Sequence, residues 1–297
     1  MIYTVTLNPS LDYIMQVDSL VPNSVNRSSS ERLFAGGKGL NVSIVLKNLG
    51  VQSVTLGFVA GFTGEQIKEE VKKIGCIDEF IMLSDGNSRI NVKLKGSEET
   101  EINALGPYIS EKSVDMLFEK LALLKSGDVL VLAGNAPSSL GSDIYARIMS
   151  TVSNRNIITV VDASGEQLIN ALKQKPFLIK PNVHELAEVF NVPIETKEDI
   201  VFYAKKLCEM GAENVIVSMD KRGAVIVSCE GEYYCKAKCV VAVNSTGAGD
   251  SMVAGFLAKY LESGDKQEAF SFGVATGTAA ASCIGFPTKE DIIALCE

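Results

Sequence analysis

A chain of 297 residues with 36 acidic and 28 basic side chains carries a formal charge of −8 at neutral pH. That balance excludes nucleic acid and anionic membrane as its main partner, while leaving room for a local basic pocket. Its 46% hydrophobic and 22% charged residues describe a globular chain long enough to bury a substantial core. Seven irregularly spaced cysteines read as reduced, packed thiols. Cys229, Cys235 and Cys239 lack the spacing of a zinc site, and a chain with one histidine, His184, and no Cys–His constellation is a poor candidate for a thiol or Ser–His–Asp hydrolase.

Residues 1–9 are short, uncharged and run straight into strand-like alternation, unlike a signal peptide. No run is apolar for long enough to span a bilayer, and the small-residue stretch 273–283 is interrupted by Thr276, Thr278 and Ser282. A cytoplasmic location is expected. Residues 3–7 form a β-branched strand ending at Asn8-Pro9-Ser10. Asp12 follows just past its carboxyl end, where open α/β sheets place ligands. The polar alternation over 12–34 predicts two exposed strands about a turn at Pro22-Asn23. Ala35-Gly36-Gly37-Lys38-Gly39 then leads into a helix over 40–49, closed by Gly50. The loop lacks Walker A spacing. Its three glycines still let a ligand approach the backbone closely beside Lys38 and Asn41; the alternative is a flexible loop with a solvated lysine.

A strand over 54–59 precedes a helix that runs from a Thr63–Gln66 capping box to Ile74, with Gly75 as its stop. Residues 89–95 alternate strictly: Arg89, Asn91, Lys93 and Lys95 share one face, and Ile90, Val92 and Leu94 the other. With 99–103 as hairpin partner, that basic face is either solvated or lies over a pocket with Arg89 and Lys93 aimed at an anion. After Pro107 the text becomes a regular strand–helix alternation. Strands are expected at 129–133, 157–162, 177–180 and 215–218, separated by helices at 110–125, 139–153, 165–172, 184–190 and 196–210. Near-continuous apolar strands between helices mean a parallel sheet covered on both faces. At one strand end, Lys180-Pro181-Asn182-Val183-His184-Glu185 places Asn182 and Glu185 as a capping box that could also order the water shell of a metal. A hairpin over 224–228 and 232–234 and further helices complete the chain.

The stretch 244–251, Asn-Ser-Thr-Gly-Ala-Gly-Asp-Ser, carries the chemistry. An extended apolar run at 240–243 feeds a turn with Gly247 and Gly249, and Asp250 opens a helix over 251–260. Glycines before a helix aim several N–H groups one way and make an anion cradle. A carboxylate at that helix start would repel a bound phosphate. It has a use if Asp250 takes a proton from an attacking hydroxyl while the amides of Gly247, Ala248 and Gly249 hold the phosphoryl group under attack. The local alternative is an Asp N-cap after a glycine turn.

With these stretches in place, the sequence resembles the PfkB (ribokinase-like) carbohydrate kinases over essentially its whole length. The specific matches are Ala35-Gly36-Gly37-Lys38-Gly39-Leu40-Asn41-Val42 and Thr246-Gly247-Ala248-Gly249-Asp250. The resemblance implies an α/β fold, a three-layer sandwich with a mostly parallel central sheet and a small inserted β-sheet lid at about 11–34 and 87–106. Residues 1–297 would form one kinase domain, pairing as a homodimer through the lid. It implies ATP and Mg²⁺ as cofactors, Asp250 as catalytic base, and Gly247, Ala248 and Gly249 as anion hole. Asp12, Gly37 and Asn41 would hold sugar hydroxyls; Lys38, Arg89 and Lys93, with Arg27 as a further candidate, would meet the acceptor's existing phosphate. Asn182 and Glu185 match an Asn-x-x-Glu element associated with Mg²⁺ and phosphate, acting through water. Ser218, Asp220 and Gly223 match a nucleotide-binding loop, and Ala275, Thr278 and Ala279 lie where the adenine is flanked. The supporting text Leu7-Asn8-Pro9-Ser10-Leu11-Asp12, Val25-Asn26-Arg27, 89–93 and 99–103 points to the branch that phosphorylates fructose 1-phosphate on C6. Tagatose-6-phosphate and 6-phosphofructokinase branches, and a non-catalytic sugar-phosphate sensor, are the alternatives. Two departures stand out. Ala133-Gly134-Asn135-Ala136-Pro137 replaces a usual Ser-Gly-Ser-Leu-Pro, with Asn135 as substitute donor, and Asp220 stands where glycine is common, at a conformational cost.

Overall fold

The computed structural model describes residues 1–243 and 246–296. In chain order the strands are β1 (Ile2–Thr6), β2 (Ser10–Gln16), β3 (Ser30–Gly36), β4 (Ser53–Ala60), β5 (Ile77–Asp78), β6 (Ile81–Leu83), β7 (Arg89–Lys95), β8 (Thr100–Asn103), β9 (Val129–Ala133), β10 (Ile158–Asp162), β11 (Leu178–Ile179), β12 (Asn214–Ser218), β13 (Ala224–Ser228) and β14 (Gly231–Cys235). The helices are α1 (Lys38–Asn48), α2 (Gly61–Ile74), α3 (Glu111–Leu121), α4 (Ile144–Val152), α5 (Gly165–Leu172), α6 (Val183–Phe190), α7 (Lys197–Glu209), α8 (Ala248–Ser263), α9 (Lys266–Ser282) and α10 (Lys289–Ile293).

The large sheet runs β14-β13-β12-β11-β10-β9-β1-β4-β5, with β6 on β4; it is parallel from β12 to β5, and only β13 and β14 are antiparallel. Its strands are apolar on both sides because both faces are covered. Leu130, Leu132, Val161, Ile179, Val215 and Val217 pack with helices α3–α7 on one face, while Val129, Val131, Val160, Leu178 and Ile216 pack with α1, α8, α9 and α10 on the other. This is the ribokinase-like sandwich. The chain leaves β1 outward through β4 and β5, then returns to β9 on the other side of β1. The strand order reverses there, opening a crevice at the carboxyl ends of β1, β9 and β10.

A second, four-stranded sheet, β3-β2-β7-β8, adjoins that crevice where β3 ends at Gly36, just before α1. Its register places Ser10 beside Gly36 and Arg89, and Asp12 beside Phe34 and Asn91. One end is anchored where Leu11 and Ala35 pack with Ile67 and Val71 of α2.

Two local expectations change. The capping box at Thr63 is absent: α2 starts two residues earlier, at Gly61, and the Thr63 hydroxyl instead donates to the Ala60 and Ser88 carbonyls, tying α2 to the segment before β7. The strand over 177–180 shortens to Leu178–Ile179, since Pro181 has no N–H to continue a ladder. The extended run 240–243 lies outside both sheets: Val241 is 84% exposed and Val243 N–H donates to the Ala281 carbonyl at the end of α9. Of the turn that follows, Asn244 and Ser245 lie outside the described residues.

The small residues of α9 explain the placement of α8. A Cβ on Gly273 would lie 2.8 Å from the Met252 carbonyl oxygen, and one on Gly277 would lie 2.9 Å from that of Ala248, so α9 presses directly on the backbone of α8's first turns. Gly273→Val should therefore overpack this contact and lower stability by roughly 1–3 kcal/mol, read by urea unfolding. Unchanged stability would mean the two helices are not held this closely.

Candidate active site

Two helices start at the carboxyl end of β1. α1 is pinned there by the Leu40 N–H donating to Thr6 Oγ1 at 2.9 Å, and its N-cap, Gly37, has φ 136, a backbone that side-chain-bearing residues rarely adopt. α8 begins at Ala248 after Gly247, whose φ is 83. The first-turn amides of Ala248 and Gly249 have no intrahelical carbonyl to bond, which leaves them with the dipole of a sixteen-residue helix to face an anion. Asp250 sits in this first turn, so the helix opens two residues before it. The two helix starts meet through Asn41, whose Nδ2 donates to Asp250 Oδ2 at 2.7 Å.

Asp250 is only 5% exposed. Burial, reinforced by the negative charge of Asp162, pushes its carboxyl up to about 6, against the pull of Lys38, the Asn41 hydrogen bond and Lys180. Asp162 goes the other way. Burial would raise it, but Lys180 and Lys38 together hold it below its ordinary value. Its Oδ1 takes Lys38 Nζ at 3.2 Å and Lys180 Nζ at 3.6 Å, while its buried Oδ2 has no hydrogen-bond partner. Lys38 is raised, first by Asp162 and further by Asp250 and Glu185; Glu185 Oε1 lies 3.8 Å from its ammonium. Two carboxyls of one crevice are thus separated in protonation by where the two lysines sit. Asp162 and Lys180 are functional candidates the motifs did not single out. The available signal was a charged residue closing an apolar strand: Asp162 ends β10 and Lys180 follows β11.

Asn182 and Glu185 do form the capping box at the start of α6, with Glu185 N–H donating to Asn182 Oδ1 at 2.9 Å and Asn182 N–H to Glu185 Oε2 at 2.8 Å. That leaves Oε1 facing Lys38 in the crevice, so the structural and chemical readings hold together.

The second sheet presents its polar face to the site. Asp12 Oδ1 accepts from Ser10 Oγ at 2.7 Å and Asn91 Nδ2 at 3.0 Å; its Oδ2 pairs with Lys93 Nζ at 3.1 Å. Arg89 Nε donates to the Asn8 carbonyl at 3.0 Å. Burial lowers the pKa of its guanidinium, opposed by Asp12. The cations expected to share an anion share no partner here: Lys38 belongs with Asp162 and Glu185, Lys93 with Asp12, and Arg27 is exposed on the loop between β2 and β3.

On the far side, Asn182 and Ser218 bridge adjacent strand ends. Asp220 opens a short 3₁₀ turn with φ 51, the left-handed backbone its place in the motif demands, and a Cβ on Gly223 would fall 2.1 Å from the Cys235 carbonyl oxygen. Ala275 and Thr278 of α9 line a cleft of about 470 Å³ with Phe272, Lys238 and Leu295. Ala279 is buried, and the Thr278 hydroxyl is spent on the Val274 carbonyl. Asn135 accepts from Ser164 Oγ, which leaves its amide nitrogen to donate.

The sequence matches the pfkB family carbohydrate kinase profile over residues 5–291. It is 47% identical to the 1-phosphofructokinase of Bacillus subtilis (strain 168) over 290 residues, 98% of this chain and 95% of the relative. It is 33% identical to the D-tagatose-1-phosphate kinase of Bacillus licheniformis, over 98% of this chain and 96% of the relative. The structure superposes on Escherichia coli phosphofructokinase-2 in complex with substrates and products with a TM-score of 0.93 at 28% identity, covering 99% of this chain and 98% of that one.

A carboxyl moved from 3.8 to about 6 is disfavoured in its charged form by about 3 kcal/mol. Since the folded value lies above the unfolded one, the stability tied to this proton is present below about pH 4 and lost as pH rises through 6. Asp250→Asn should therefore be more stable than the parent at pH 8 by roughly 1–3 kcal/mol, with the gain shrinking toward pH 4 in urea titrations. A variant no more stable than the parent at pH 8 would show that Asp250 is not strained by its burial.

Proposed function

Because the chain belongs to the pfkB family of carbohydrate kinases, we propose that it transfers the γ-phosphoryl group of ATP to the C6 hydroxyl of fructose 1-phosphate, giving fructose 1,6-bisphosphate. The observation that carries the reading is Asp250: a buried carboxylate poised near 6, in the first turn of a helix that is capped by Gly247 and whose Ala248 and Gly249 amides have no intrahelical acceptor. It deprotonates the acceptor hydroxyl while those amides hold the phosphoryl oxygens. Asn41 orients it, and Lys38 neutralises charge on the transferring group. Asp12 and Gly37 hold the sugar, and Arg89, with Arg27 from its exposed loop, meets the 1-phosphate.

The nucleotide enters from the Ser218–Asp220–Gly223 side, with its base in the cleft beside Ala275, Thr278 and Ala279. We place Mg²⁺ beside Glu185, whose Oε1 is left free by the capping box and lies 3.8 Å from Lys38, with Asn182 next to it. Mg²⁺ held beside Glu185 and Asn182 would supply neutralisation of the phosphate charge during transfer. We read the chain as one kinase unit whose β3-β2-β7-β8 sheet is a lid that excludes water from the transfer. No helix among the described residues is long and apolar enough to cross a membrane, and we place the activity in the cytoplasm.

Acceptors related by epimerisation or by the position of the phosphate, namely tagatose 1-phosphate, tagatose 6-phosphate and fructose 6-phosphate, are the alternatives. Coupled ADP release with each of these and with fructose 1-phosphate decides between them. Preference for fructose 1-phosphate is expected; preference for a 6-phosphate reverses the sugar in the pocket, and silence with all four from folded, ATP-binding protein favours a sensor. Asp250→Asn should lose at least about 100-fold in kcat, while Arg89→Ala should raise KM for the sugar phosphate roughly 10- to 100-fold. Near-normal kcat in the first, or an unmoved KM in the second, would sink the corresponding role.

The outer face of the lid supports a homodimer. Tyr13, Leu33, Val92 and Ile102 form one cross-strand row there, with Leu33 38% and Ile102 60% exposed. Sedimentation should find a dimer that Leu33→Glu with Ile102→Glu converts to monomer; a dimer surviving both changes would place the interface elsewhere.

A further inference from the structure

Lys93 lies on the pocket-facing row of the second sheet, the place of a phosphate ligand, yet its surroundings are those of a buttress. Its side chain is 10% exposed, and its ammonium stands between two carboxylates, 3.1 Å from Asp12 Oδ2 and 4.0 Å from Glu101 Oε1 on the neighbouring strand. A cation flanked by two anions forms a set of net charge −1 and has no charge left to attract a phosphate. Arg89 differs: its Nε is used on a backbone carbonyl, and its terminal nitrogens have no partner among the described residues.

Asp12, by contrast, is held from every side. Ser10 Oγ and Asn91 Nδ2 fix Oδ1, and Asn91 Nδ2 also reaches Ser10 Oγ at 3.1 Å. Behind the carboxylate lies Gly36, where a Cβ would come within 2.9 Å of its Cγ and Oδ1. Among the described residues only Lys93 grips Oδ2, so its ammonium completes the hold on the carboxylate that Ser10 and Asn91 begin at Oδ1.

Resting on the kinase reading above, we propose that Lys93 is a positioning residue for Asp12, not a ligand of the acceptor's phosphate. Glu101 holds the Lys93 ammonium in place, and the carboxylate so oriented accepts from the sugar hydroxyls and sets the reach of C6 to Asp250. Specificity for the phosphate end of the acceptor then rests on Arg89, and alignment of the reacting end on the Glu101–Lys93–Asp12 relay.

The two roles separate when one acceptor has a phosphate and the other has none. kcat/KM is measured for fructose 1-phosphate and for fructose; where turnover of fructose is too slow, its Ki against fructose 1-phosphate is compared with the KM of fructose 1-phosphate instead. In Lys93→Met both should weaken by the same factor, on the order of 10- to 100-fold, with the loss with fructose 1-phosphate falling partly in kcat. Their ratio should stay near that of the parent, whereas Arg89→Ala should collapse the ratio. Lys93→Arg, which keeps the charge, should recover part of the loss on both ligands together. A loss in Lys93→Met confined to fructose 1-phosphate, or no loss with either ligand, overturns the proposal. Lys93→Gln is read in the same way, so a Met variant that fails to fold does not remove the test. Failure of the reading itself shows in the parent enzyme, as the absence of turnover with fructose 1-phosphate, before any variant is compared.

Discussion

Two carboxylates share one dry crevice, and the rest of the site depends on which of them keeps its charge. Asp162 is fully buried and stays ionised because Lys38 and Lys180 both press on its Oδ1. Asp250, buried beside it, accepts from the Asn41 amide, and burial with the charge of Asp162 pushes its carboxyl up to about 6. A buried carboxylate that is fully paired is a poor base, and one with no partner at all would stay protonated. The arrangement between these extremes needs the two lysines placed on the Asp162 side, which is what the carboxyl ends of β10 and β11 and the start of α1 provide.

The fold brings these groups together by convergence of ends. Strand ends supply Asp162, Lys180 and the Asn182–Ser218 bridge; helix starts supply Lys38, Asn41, Asp250 and Glu185. Helix starts carry unsatisfied amides and positive potential, so a crevice rimmed by them favours anions without a net basic protein around it. That is how a chain of charge −8 can hold a phosphorylated substrate. The helices are held in register by close backbone contact: α9 lies against α8 through glycines, and α1 is tethered to β1 through Thr6.

The second sheet inverts the usual rule for a half-exposed sheet. Its charged row, Asp12, Asn91 and Lys93, is turned inward, and its apolar row, Leu33, Val92 and Ile102, faces outward. On the kinase reading proposed above, the inward face meets a polar acceptor instead of a hydrocarbon core, and the outward apolar row meets a second copy of the same sheet. Strict alternation over 89–95 announced a two-faced strand, but periodicity alone assigns residues to faces without saying which face is wet.

The parallel sheet, its covering helices and most of their limits were legible in the sequence, because apolar runs of strand length between amphipathic segments admit few other packings. So were Asp250 with its glycines and the Asn182–Glu185 box, since local chemistry at helix starts is written in consecutive residues. The misplaced start of α2 shows the limit of such local rules: Thr63 found a better acceptor across the fold in Ser88. What only the tertiary structure decided was the partnership of charges. Lys38 and Asp162 are 124 residues apart, and Asn41 and Asp250 are 209 apart. Sequence lists those side chains as equivalent cations and anions, whereas electrostatic energy depends on separation in space and on burial, neither of which exists until the chain is folded.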